Sequence, residues 1–353
     1  MLKIAVRTSR RIEETRSILI RGTNWIGDVV MTLPAIAALR RTFPQARISI
    51  LVKPWVADLL DLCPDVDEVI VYRSPGNHAG FGGLLQLAGE LREQRFDAAV
   101  LLQNAIEAAL IAFLARIPIR AGYNSDGRGL FLTHSVKRTR AVRRIPQVDY
   151  YLEMVRTLGC DADSREAHLA LTAKDRGRAA EILQSRGINP PSEIVGIAPG
   201  ATYGAAKKWF PDRFAAVADR LADEFGVRVV LFGSAADRES TMTVCSHARH
   251  RMTDLAGETT LREAVALISR CRLFISNDSG LMHVAGALGI PTVAIFGSTN
   301  PVTTSPMGEN NFIVHKDLPC SPCLKTTCPK DFACMDLIGV EDVYGAARCL
   351  ITR

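Results

Sequence analysis

With 353 residues, 48% of them hydrophobic, the chain is long for a single core and apolar enough for two. Its formal charge of +6 is too small and too dispersed to mark a nucleic-acid binder, although it suits a partner carrying phosphates or carboxylates. Nine cysteines, no signal-peptide pattern over residues 1–17 and no apolar run near the ~20 residues of a membrane span argue for reduced thiols in the cytoplasm. A lipid partner would then be met peripherally, at the inner face of the membrane.

In chain order, residues 1–16 read as a basic extension. Residues 17–21 form the first strand, closed by Gly22, and the polar loop Thr23 to Asp28 leads into a helix over 29–41 despite Pro34. Strand 48–52, helix 55–62, strand 68–72, helix 84–94 and strand 98–102 continue the alternation, with Gln103 and Asn104 at the last strand's end. Such alternation implies a parallel sheet covered on both faces. From Gly122 to Asp149 the pattern breaks into a long irregular stretch, which includes the densest basic cluster, Lys137, Arg138, Arg140, Arg143 and Arg144. Helices over 150–158 and 174–186 follow, and Asn189-Pro190-Pro191-Ser192 reads as a joint between domains.

The second half restarts the programme. Strand 194–198 runs into a Gly-rich loop from Pro199 to Trp209; helix 211–225, strand 228–232, helix 237–248, a short strand near Asp254 and helix 261–270 come next. Strand 271–275, the loop Ser276-Asn277-Asp278-Ser279, a helix to Leu288, strand 292–296 and a last helix over 340–351 complete it. Two doubly wound sheets of this kind present their strand ends to a shared cleft.

Four constellations carry chemistry. At the loop Ser276 to Ser279, Asp278 or Ser279 caps the following helix, whose first N–H groups are a natural phosphate site. Asp28, just after the first strand, fits either a general base or a helix cap. In the loop Pro199 to Trp209, glycines permit close backbone approach and Lys207 or Lys208 can neutralise a diphosphate. Neither a Walker loop nor a Gly-x-Gly-x-x-Gly fingerprint is present. Asp237, past strand 228–232, fits a ribose-binding acid or again a cap. Cys320, Cys323, Cys328 and Cys334 resemble a zinc or iron–sulfur set, but with a middle gap far shorter than the roughly 12–20 residues of common zinc modules. They read more readily as reduced structural thiols. His283, one turn into the key helix, supports the phosphate site or simply packs.

Taken together, Gly27-Asp28-Val29-Val30-Met31-Thr32-Leu33-Pro34, the loop Pro199 to Pro211, and Asn277-Asp278-Ser279-Gly280-Leu281-Met282-His283-Val284-Ala285 resemble the ADP-heptose:lipopolysaccharide heptosyltransferases, glycosyltransferase family 9. Asn24-Trp25-Ile26-Gly27-Asp28 and the segment Cys320 to Met335 are more similar to the heptosyltransferase II branch than to branch I.

The resemblance implies a GT-B fold: an N-terminal acceptor domain over 17–188, a C-terminal ADP-heptose domain over 189–338, and a helix over 339–353 returning to the first domain. It implies an inverting, metal-free transfer of heptose from ADP-L-glycero-beta-D-manno-heptose onto heptosyl-Kdo2-lipid A, without cofactor, with Asp28 as base and Lys207 as the donor-side lysine. Donor contacts would fall on Thr202, Asp237, Thr259, Asp278, Ser279, Gly280, Leu281 and His283, and acceptor contacts on Asn24, Trp25, Asn104 and Arg143. Rival expectations are another nucleotide-sugar transferase of the same fold, such as heptosyltransferase I or III, and a non-catalytic metal-binding or regulatory protein built on the cysteines.

Overall fold

The computed structural model describes residues 15–353. The basic extension of the sequence reading lies outside them up to residue 14. Its last two residues belong to the fold: Thr15 is buried, and the Arg16 N–H donates to the Asp97 carboxylate at 3.0 Å.

The chain divides into two units, residues 15–170 of the described chain and Leu171–Arg353. The strands of the first are β1 (Ser17–Arg21), β2 (Arg47–Val52), β3 (Glu68–Val71), β4 (Ala98–Leu101), β5 (Ile119–Asn124) and β6 (His134–Lys137). Its helices are α1 (Ile26–Thr42), α2 (Pro54–Leu60), α3 (Gly80–Glu93), α4 (Ile106–Leu114) and α5 (Gln147–Arg156). All pairings are parallel, in the order β3-β2-β1-β4-β5-β6, with Ile18 opposite both Ile48 and Ala98. Helices cover both faces, so strands such as Ile48–Val52 are apolar on every residue but Ser49 rather than alternating.

The second unit opens with α6 (Ala173–Ser185). Its strands are β7 (Ile194–Ala198), β8 (Arg228–Leu231), β9 (Thr253–Asp254), β10 (Leu273–Asn277), β11 (Thr292–Phe296) and β12 (Asn311–His315). The remaining helices are α7 (Pro211–Phe225), α8 (Arg238–His247), α9 (Leu261–Ile268), α10 (Gly280–Ala287), α11 (Pro301–Thr304), α12 (Ala333–Asp336) and α13 (Val340–Ile351). The strand order is β12-β11-β10-β7-β8-β9, again all parallel. Each sheet has the same wiring: the second and third strands are added on one side of the first, and the fourth, still parallel, is added on its other side. The reversal leaves a crevice beyond the strand ends between β1 and β4, and between β7 and β10, where doubly wound folds bind ligands.

Two boundaries differ from the sequence reading. The joint expected at 189–192 is an internal turn of the second unit, because α6 is fastened to α9. Arg262 grips Asp175 through two bonds of 2.6 and 3.0 Å and holds that carboxyl far below its ordinary range, and Arg178 pairs with Glu263 at 2.8 Å. Asn-Pro-Pro chemistry marks a turn, and a turn within a domain reads the same as a linker. The last helix, expected to return to the first domain, builds the second unit's core: Val343, Ala346, Ala347 and Ile351 of α13 join the buried cluster of β7, β10 and β11.

Candidate active site

In the second unit the loops after β7 and β10 meet at the crevice. Buried Asn277 joins them: its amide N–H donates to the Pro199 carbonyl at 2.7 Å, and its Oδ1 accepts the Trp209 N–H at 3.0 Å. That staple carries Lys207 to Asp278, with Nζ 2.7 Å from Oδ2 and both side chains largely buried. Lys208 turns away to donate to Ser240 at 3.0 Å, so Lys207 is the lysine that faces the loop Asn277 to Ser279.

Ser279 occupies the N-cap position of α10, but no side chain caps the helix. Its hydroxyl instead meets Ser276 Oγ at 3.0 Å, and Asp278 is committed to Lys207. The expected cap is therefore missing for a structural reason, and the first N–H groups of α10 lack the side-chain acceptor that would normally quench them. Ser279, Gly280 and Leu281 are half-buried there, between the buried pairs Asn277–Asp278 and Met282–His283. An ammonium beside an uncapped helix start suits a diphosphate.

Asp237 and Thr259 lie on neighbouring loops, after β8 and β9. Asp237 accepts from the Ser234 N–H and Oγ at 2.9 and 2.7 Å, which is the capping role weighed in the sequence. Its other carboxylate oxygen occupies the space that a Cβ on Gly200 would need, which places the acid against the Gly-rich loop as well. Thr259 is half-buried just before the cap of α9, on a loop tied to that of Asp237 by the Gly257 N–H to Gly233 carbonyl bond at 2.9 Å. Thr202 is exposed on the Gly-rich loop itself.

His283 is buried behind Asp278, its Nε2 3.9 Å from Oδ1 and its Nδ1 without a hydrogen-bond partner. Burial, opposed by the Asp278 charge and assisted by that of Lys207, pushes its pKa down to about 4. The folded state therefore binds fewer protons than the unfolded chain between pH 6.5 and 4. Stability from this group is complete above the ordinary value of 6.5 and is lost as pH falls toward 4. The loss amounts to about 3 kcal/mol at the lower end. A His283→Gln variant should lack that component of acid destabilisation in urea titrations run at stepped pH; an unchanged slope would contradict it.

The cysteine segment packs onto the same loop. Tyr203 Oη donates to the Leu324 carbonyl at 2.9 Å, the Ala206 N–H to the Thr326 carbonyl at 3.0 Å, and the Leu324 N–H to the Ser298 carbonyl at 2.7 Å. Cys320, Cys323 and Cys328 are half-buried, Cys334 is buried, and all four are free thiols. Among the described residues no group of three or more His, Cys, Asp or Glu side chains is arranged to hold a metal ion. Asn277, Tyr203 and the Leu324–Thr326 backbone are the parts of this site that sequence reasoning did not single out. Only the position of Asn277 inside the key motif hinted at its role.

In the first unit Asp28 is not the helix cap. That position belongs to Trp25, and Asp28 is the third residue of α1, half-buried, in the first turn. Its charge bears on the buried Tyr151 hydroxyl of α5, which burial first and Asp28 second push well above the usual tyrosine range. At the end of β1, Arg21 donates to the carbonyls of Gly22 and Leu51 at 2.5 and 3.1 Å and to Asn24 Oδ1 at 3.4 Å. Burial lowers the Arg21 guanidinium to about 10. Trp55 Nε1 holds the Asn24 carbonyl at 2.7 Å, and Trp25 is 59% exposed. Asn104, at the end of β4, receives Arg128 on its Oδ1 at 3.1 Å and bonds Tyr150 Oη at 2.9 Å, so its amide braces the loop. Arg143 is exposed on the basic stretch.

The fold has solved counterparts. E. coli ADP-heptose lps heptosyltransferase II aligns with a TM-score of 0.81 and 28% identity, over 96% of this chain and 98% of that one. The glycosyl transferase family 9 protein of Veillonella parvula aligns at 0.89 and 25%, over 98% and 99%. With its two doubly wound sheets, the chain is a glycosyltransferase of the GT-B class. The profile of glycosyltransferase family 9 (heptosyltransferase) matches residues 84–333, and the chain belongs to that family. It is 32% identical to lipopolysaccharide heptosyltransferase 2 of Salmonella typhimurium, across 84% of this chain and 87% of that protein.

Proposed function

We propose that the enzyme transfers L-glycero-D-manno-heptose from ADP-heptose to the first heptose of the lipopolysaccharide inner core, inverting the anomeric centre. The observation that carries the reading is the buried Lys207–Asp278 pair beside the uncapped start of α10. The likeness to heptosyltransferase 2 proteins supports the choice of sugar and acceptor.

In this reading the donor diphosphate lies on the N–H groups of Ser279, Gly280 and Leu281 and on Lys207, with Thr202 contributing a further phosphate contact. Asp237 takes ribose hydroxyls, the loop of Thr259 lies on the adenine side, and Asp278 holds a sugar hydroxyl. Asn24, Trp25, Asn104 and Arg143 receive the acceptor. Asp28 takes the proton of the attacking acceptor hydroxyl as its oxygen bonds to the anomeric carbon. The bond from that carbon to the phosphate oxygen breaks through an oxocarbenium-like state, and ADP departs with the electron pair. Fixed cation and backbone donors meet the charge that develops on the diphosphate, so transfer needs no metal. No helix among the described residues is long and apolar enough to cross a membrane. The enzyme works from the cytoplasm, peripherally at the inner face of the inner membrane.

Mass spectrometry of acceptors incubated with ADP-heptose tests the reading. Heptosyl-Kdo2-lipid A should gain one heptose while Kdo2-lipid A gains none. Transfer to Kdo2-lipid A alone would replace it with the heptosyltransferase I reaction.

A further inference from the structure

The first unit carries an apolar surface that its own fold does not cover. Helix α4 reads IEAALIAFL, with Glu107 its one charged residue. Ala108, Ala109, Ile111 and Ala112 fill the side facing the sheet, yet Ile106 and Phe113 on the other side remain 48% and 46% exposed. A turn at Arg128–Phe131 packs beside α4, the Phe131 ring 5.3 Å from that of Phe113, and leaves Leu130 92% exposed. Helix α3 contributes to the same buried cluster as α4 and adds Phe81 and Leu85, 70% and 44% exposed. Both helices cross the sheet in the same direction, from β3 to β4 and from β4 to β5, and right-handed crossovers put them on one face. Exposed apolar residues scattered singly need no explanation; five on adjoining elements of one face do.

The charge of the segment that carries α4 and the turn is the second observation. Residues 105–146, which include α4 and the turn, contain eight basic and two acidic side chains, a surplus as large as the +6 of the whole chain. The other residues therefore sum to neutrality. Two of these cations lie at the surface itself: Arg116, two residues past the end of α4, is exposed, and the Arg120 guanidinium lies 5.5 Å from the centre of the Phe113 ring. Rings and leucines bordered by cations match an anionic bilayer surface, with the apolar side chains at the acyl boundary and the cations among the headgroups.

We propose that the α3–α4 face and its basic border dock this enzyme on an anionic lipid bilayer. The purpose of such docking rests on the lipid-linked acceptor proposed above, while the docking itself is measurable with neither donor nor acceptor. The full chain is sedimented with vesicles of phosphatidylcholine, with and without phosphatidylglycerol. Binding should require the anionic lipid, weaken with added salt, and fall about tenfold in a Phe81→Asp/Leu130→Asp variant. Both residues are solvent-facing, so the variant should keep the parent's circular dichroism and its transfer rate onto a deacylated, soluble acceptor. Equal binding by variant and parent, or no binding to anionic vesicles, would overturn the proposal. So would a dimer of the parent that the variant dissolves, since a second copy would then be the occupant. Vesicle binding by a protein that transfers heptose to no acceptor would uphold the docking and remove the functional reading instead.

Discussion

Asp28→Asn should lower turnover about a thousandfold while leaving ADP affinity within a factor of two, a general base being worth roughly 10²–10⁴. Asparagine keeps the size of the side chain and its accepting oxygen but cannot take a proton. The residue sits in the first turn of α1. Asp28 is half-buried, and its charge bears on the enclosed Tyr151 hydroxyl. The proposed ADP contacts fall on loops of the other unit, which is why affinity and turnover should separate. Initial rates with both substrates saturating, together with calorimetric titration of ADP, measure the two quantities. Turnover within a few fold of the parent would mean that another group accepts the proton.

Much of this arrangement was legible in the sequence because strand ends and Gly-rich loops follow local rules. The strand before Asp278, the loop to Lys207 and the alternation in both halves all lie where periodicity and turn chemistry put them. What escaped has a physical cause in each case. Helix α4 carries a single charge, Glu107, among apolar residues, so it shows no 3.6-residue alternation, and its outer face is the surface assigned above to lipid. Strand β6 is four residues at a sheet edge, inside a stretch that its glycines and arginines marked as irregular. The resemblance could point to Lys207, but not to how Asn277 holds it there. That staple runs between residues 68 and 78 positions apart, and only folding brings them together. Asp28 read equally as cap or base until the structure put Trp25 at the cap.

Lys207→Met should be the costliest single change in the second unit, and a double-mutant cycle with Asp278→Asn separates its two causes. The pair is 14% and 5% exposed, so deleting the ammonium strands a carboxylate out of water. Breaking a buried pair typically costs 3–5 kcal/mol. The uncapped start of α10 offers Asp278 partial compensation, so about 3 kcal/mol, or a fall in Tm of about 10 °C, is expected. Removing both charges leaves nothing stranded, and Lys207→Met/Asp278→Asn should recover most of that stability.

Affinity should follow a different pattern. Lys207→Met removes the cation proposed to meet the diphosphate and should weaken ADP binding about thirtyfold, charged hydrogen bonds contributing roughly 1.5–3 kcal/mol each. Restoring stability in the double variant returns no cation, so its ADP affinity should stay at the level of Lys207→Met. Asp278→Asn alone frees Lys207 from its partner. It should bind ADP at least as tightly as the parent yet transfer heptose poorly, because the contact proposed for Asp278 is with the sugar. Thermal melts with and without ADP yield all four corners of the cycle. Additive stability losses would show that the pair is not an energetic unit, and parental ADP affinity in Lys207→Met would confine the lysine to a structural role.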